Sequence, residues 1–239
     1  MTNKMITGTA ALLGLVALVL RRQLYGVALD EKGLLLRGHP LSLALLVLTA
    51  AVMLLIVLCI CRLRIPENHI PAGMAAGFGH AAMAAGILSV VLLGMPMMRG
   101  YLGTVWQWLA MGSPVCLLAA GAVRLWGKKP FFLLHMLPSL FFAVHIVNHY
   151  QGWSGNPQLQ DYVFALLATV ALVLFGFYNA AWEAGCGSRR MVLVTGQVAV
   201  YLCLAELGHS SEPLLYLGGS IWAATDLLSL RAMSCKEGE

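Results

Sequence analysis

Apolar runs of about 16–23 residues recur along this chain, each closed by a short turn rich in Gly, Pro or basic residues. They fall at 5–20, 41–61, 72–94, 102–123, 130–149, 161–182, 191–208 and 213–230. A helix rises about 1.5 Å per residue, so most of these runs match a hydrocarbon core about 30 Å thick. Lipid offers no hydrogen bonds to an open backbone, and helices satisfy their own. The expected fold is therefore all-α: a polytopic integral membrane helical bundle of about eight transmembrane helices, with 1–239 as one domain. Seven spans remain if the first run is cleaved as a signal peptide or fails to cross. No small-x-small cleavage pattern follows that run, and Arg21-Arg22 stand where cleavage would occur. The mixed segment 23–40 is too polar to span and is expected to lie at the interface.

Composition agrees with this class. Of the 239 residues, 60% are hydrophobic and 10% charged, too little charge to cover a soluble domain. The net charge of +5 sits at the ends of apolar runs and forms no basic face with interleaved aromatics, so nucleic acid is not an expected partner. The lipid bilayer is, together with other membrane subunits. Six cysteines contain no C-x-x-C pair and read as free thiols.

Basic residues set the orientation. Lys4, Arg62, Arg64, Arg124, Lys128, Lys129, Arg189, Arg190, Arg231 and Lys236 fall on one side, and Arg21, Arg22, Lys32, Arg37 and Arg99 on the other. Ten against five puts both termini in the cytoplasm. Arg21 and Arg22 run against that bias. Either they snorkel to the headgroups, or the first helix continues to Leu29 and an acid such as Glu206 compensates them inside the bundle.

In the third span Gly73 and Gly77 form a small-x-x-x-small repeat, which predicts a closely packed, central helix. Pro114 and Pro138 lie within the fourth and fifth spans and tend to kink them.

Ionisable groups within spans are costly in lipid and face a bundle interior or a water-filled cavity. By distance along each span they form two layers. His80, His135 and Asp226 lie near the cytoplasmic side; His145, His149, Asp161, Glu206 and His209 lie near the outer side, with His39 beside them. His145 and His149 are four apart on one helix face, and with Glu206 and His209 they make a candidate outer proton or divalent-metal site. The H-E-x-x-H pattern is missing. A two-haem ladder lacks its second histidine pair, while one haem between His80 and His135 stays open beside the expectation of no cofactor. Equally, the histidines satisfy backbone carbonyls and the Trp153–Pro157 turn only reverses the chain at the aromatic belt.

Trp153-Ser-Gly-Asn-Pro157, Asp161-Tyr-Val-Phe-Ala-Leu-Leu-Ala168, Gly187-Ser-Arg-Arg190, and Arg21-Arg22 followed by Gly33-Leu-Leu and Gly38-His-Pro40 resemble a pattern in uncharacterised multi-spanning membrane proteins of Gram-positive anaerobic bacteria. The resemblance covers about half the chain and does not include the histidines of the fifth span. It implies a bacterial cytoplasmic membrane and carries no activity. Two functions follow from the residues: a transporter, channel or membrane subunit of a transport system, or a non-catalytic accessory, sensor or scaffold protein. A membrane-embedded metal- or haem-dependent enzyme stands third, with no nucleophile motif or nucleotide-binding loop to favour it.

Overall fold

A computed structural model describes residues 3–28, 39–63, 69–93, 101–153 and 162–232. Among them are eight α-helices: α1 (Asn3–Val27), α2 (Pro40–Arg62), α3 (Met74–Leu92), α4 (Tyr101–Leu125), α5 (Leu133–Trp153), α6 (Val163–Glu183), α7 (Arg189–Glu206) and α8 (Pro213–Leu228). A 3-10 turn, Leu207–His209, extends α7. Two three-residue strands, β1 (His69–Pro71) and β2 (Leu230–Ala232), pair antiparallel with Ile70 opposite Arg231. Six helices are long and apolar enough to cross a membrane, those of α1, α2, α3, α4, α6 and α7. The chain is a multi-pass membrane protein. The other two depart for visible reasons: α8 has 16 residues, and α5 carries three histidines along its 21.

The helix ends follow local chemistry. Pro40 and Pro213 open α2 and α8, where a missing N–H costs nothing. His39 caps α2 by accepting from the Leu41 amide. At the ends of α4 and α6 the chain turns through Gly127 (φ 71°) and Gly185 (φ 83°), and amides just beyond close back onto the last carbonyls. Pro114 and Pro138 lie inside α4 and α5 without ending either helix.

Six helices form a closed ring in which α3 meets α4, α4 meets α5, and so on to α8, which returns to α3. Outside it, α1 lies along α7 and α2 along α1 and α7. Accordingly α2 buries only the stripe Leu45, Thr49, Val52, Ile56 and Ile60, at helical spacing. The Asn3 side chain donates to the Leu227 carbonyl, so the start of α1 and the end of α8 lie together. The strand pair, Lys128 and Arg189 lie at this same end, called here the basic end.

Two expectations change in detail. Residues 23–27 of the proposed interfacial segment continue α1 instead, and 29–38 lie outside the described residues, as do Asp161 and the turn at 154–157. Gly73 is not in a helix; it precedes α3 with φ 93°, backbone that a side chain would strain, and its amide bonds to the Arg124 carbonyl. Gly77 sits where α3 meets α4: an added Cβ would lie 2.7 Å from the Leu125 side chain, and a Cβ on Gly121 would lie 3.3 Å from the Gly77 carbonyl oxygen. α3 also comes close to α8: a Cβ at Gly79 would strike Thr225 and sit 3.1 Å from the Trp222 Cα, and one at Gly218 would lie 2.6 Å from the Ala82 carbonyl. Small residues line both crossings of α3, Gly77 and Gly121 towards α4 and Gly79 and Gly218 towards α8.

Candidate functional site: two buried polar layers

Towards the basic end, five ring helices contribute to one network. Arg124 of α4 pairs through Nη1 with Asp226 of α8 and through Nη2, at 3.0 Å, with Glu183 of α6; Nη2 also donates to the Asn179 side-chain oxygen at 3.4 Å. The opposite oxygen of Glu183 meets His135 Nδ1 of α5 at 2.8 Å. His135 Nε2 lies 3.0 Å from His80 Nε2 of α3, and the Trp222 indole donates to that His80 nitrogen at 3.2 Å. His80 Nδ1 donates to the Ala76 carbonyl at 2.8 Å, with Asp226 at 3.7 Å. All of these side chains are buried.

Hydrogen-bond logic assigns the protons. His80 uses Nδ1–H for Ala76, so its Nε2 is an acceptor. With Glu183 ionised, His135 donates from Nε2 to His80 and from Nδ1 to Glu183 as an imidazolium. Two cations, Arg124 and His135, balance two anions, Asp226 and Glu183. The network is neutral as a whole, which is the condition for burying four charges. Some valences remain open: Asp226 Oδ1, Arg124 Nε and Arg189 Nη1 have no hydrogen-bond partner among the described residues. Asp226, Arg189, Asn179 and Trp182 line a small cleft at the basic end.

The expected inner layer of His80, His135 and Asp226 thus meets in space, joined by two residues that sequence reasoning placed elsewhere. Arg124 stood as a topology marker for a cytoplasmic turn, and Glu183 fell one residue beyond the sixth apolar run. Glu183 does carry a signal: it stands four residues after Asn179, on one helix face. The haem alternative meets a geometric obstacle, because ring nitrogens 3.0 Å apart leave no space for a porphyrin plane between His80 and His135.

At the opposite end the four residues expected to share a site divide into two groups. Glu206 pairs with Arg21, whose guanidinium lies 5.0 Å from the Phe164 ring centroid, and the His209 ring stacks on Tyr25 at 3.6 Å. Arg21 is buried and Arg22 exposed, so the two arginines have different environments. The carboxylate beside His145 and His149 is instead Glu212, from the connection ahead of α8. It lies 2.9 Å from each Nε2. The reason is helix order: α6 stands between α5 and α7, so Glu206 faces α1 and not α5. Glu212 lies outside the spans. Burial would push its carboxyl up, but hydrogen bonds from both imidazoles outweigh that and hold it at about 2.

Between the layers the interior is aromatic. Phe141, Phe142 and Phe175 are all fully buried. Ten residues separate His135 from His145 along α5, about 15 Å. Comparison with protein-family models, with curated proteins and with solved structures finds no match to this chain.

Proposed function

We propose that the chain is a proton-coupled transport protein, or the membrane subunit of a transport system, crossing a bacterial cytoplasmic membrane eight times with both termini in the cytoplasm. The observation that carries this is the buried Asp226–Arg124–Glu183–His135–His80 chain, in which a histidine holds a proton between a carboxylate and a second histidine. Burying each ion costs several kcal/mol or so, and apolar residues of similar volume pack helices at least as well. A proton that moves from His135 to Glu183 or His80 changes the charge binding α3, α5 and α6, which couples protonation to helix packing. A small cleft lies beside Asp226 at the basic end. Lys4, Arg62, Lys128, Lys129 and Arg190 cluster at that end, which favours its cytoplasmic placement. Cysteines introduced at Lys128 and Ser211 should label from opposite sides of the membrane.

The aromatic interior favours a second reading. Between the layers the interior is only slightly polar, with the Ser113 and Ser139 hydroxyls among Phe141, Phe142 and Phe175, which suits an accessory or sensor protein and also an occluded transporter. Charge movement separates the two. In supported liposome membranes, a pH jump should give transient currents with wild-type protein and none with folded His135→Gln. Currents equal to those of empty liposomes would remove the transport reading and leave the accessory one.

A further inference from the structure

We infer that His145, His149 and Glu212 form a binding site for one divalent cation of the zinc class at the end of the bundle opposite the basic end. This stands on geometry independent of the inner network and of the transport reading.

The two imidazoles come from successive turns of α5 and face the same carboxylate. One ligand atom from each of the three residues lies within 4.8 Å of the others. Zinc holds imidazole nitrogen and carboxylate oxygen at about 2.0–2.2 Å, so ligand atoms around one ion stand at most about 4.4 Å apart. Small shifts of the side chains are enough to admit the ion between them. Two nitrogens and one carboxylate oxygen favour zinc over magnesium or calcium, which take all-oxygen shells. Three protein ligands also leave a fourth position open for water or an exchanging ligand.

The site is held in place before any ion arrives. Glu212 receives the first two amide hydrogen bonds of α8, from Leu215 and Tyr216, and its own amide donates to Ser210 Oγ at 3.0 Å. The His145 ring stacks on Phe141. Side-chain exposure is 0% for His145 and 14% for His149, which makes His149 the side of access.

One neighbour opposes the ion. The Trp106 indole N–H points at His145 Nδ1 from 3.4 Å, which favours the tautomer with its proton on Nε2, donated to Glu212. Coordination through Nε2 moves that proton to Nδ1, where it meets the indole N–H head on. Trp106 therefore weakens the site, and removing its N–H should strengthen it.

The test uses the full chain purified in detergent, with Zn2+ as probe in equilibrium dialysis and Co2+ for its visible absorption. Wild type should bind one Zn2+ per chain, gain thermal stability from it, and give the intense Co2+ bands of a four-coordinate site. His149→Gln, at the most exposed ligand, should lose at least about tenfold in affinity, and Trp106→Phe should gain about tenfold. Because the wild-type readings need no variant to fold, absence of saturable one-to-one binding there would overturn the proposal. So would affinity unchanged in folded His149→Gln.

Discussion

Arg124 of α4 and Asp226 of α8, 102 positions apart, form an ion pair inside the ring with both side chains sealed from solvent. The pair belongs to a balanced set of four charges, so its members are not interchangeable with independent contacts. Arg124→Leu strands Asp226 beside one remaining cation and should cost about 3–5 kcal/mol. The double variant Arg124→Leu/Asp226→Leu removes one charge of each sign and leaves His135 on Glu183. It should therefore unfold at a higher temperature in detergent than the single variant. A double variant less stable than Arg124→Leu alone would show that charge balance does not govern this layer.

The adjacent arginines of α1 make a second comparison. Arg21 is buried against Glu206 and over Phe164, and Arg22 faces outward. Arg21→Ala leaves a buried carboxylate without its cation and should lose about 3–5 kcal/mol. Arg22→Ala should stay within about 0.5 kcal/mol. Thermal unfolding of the two variants side by side reads the difference, and a loss for Arg21→Ala no larger than that for Arg22→Ala would mean that the buried pairing with Glu206 does not stabilise the bundle.

These residues also show what a sequence of this kind discloses. Helix positions are legible because length and apolarity alone set them; the runs at 41–61 and 213–230 match α2 and α8 to within about two residues. Buried His80, His135 and Asp226 are legible because an ionisable group well inside a span is too costly to face lipid and must turn towards the bundle. Arg124, Glu183 and Glu212 are not, since a charge within a turn of a span end reads equally as a topology marker, a loop residue or an interior group. Their roles are decided by which helix faces them. The ring order that puts α6 between α5 and α7 is a property of side-chain fit across helices distant in sequence.

Helix approach at the α3–α8 crossing gives a packing prediction. A methyl at Gly79 meets Thr225 and the backbone at Trp222, neither of which can withdraw without moving α8. Gly79→Ala should destabilise the protein by about 1–3 kcal/mol through overpacking. Gly77→Ala meets only the flexible end of Leu125 and should cost less. Since Trp222 also donates to His80, the Gly79 variant should disturb tryptophan fluorescence where the Gly77 variant does not.

Glu212 supplies the pH dependence. Its carboxyl is held at about 2 in the folded protein, against an ordinary value of about 4.3 for an unfolded glutamate. A depressed carboxyl binds its proton more readily in the unfolded chain, so its contribution to stability is fully present above about pH 4.3 and is lost as pH falls towards 2. Other carboxylates titrate in the same window, so the difference between wild type and Glu212→Gln isolates this one. Above pH 5 or so the variant should unfold at a lower temperature, because a neutral amide accepts less strongly from His145 and His149. Between about pH 4.3 and 2 the gap should narrow, since protonation makes the wild-type side chain neutral as well. A gap that stays constant across this range would show that the two imidazoles do not stabilise the Glu212 carboxylate.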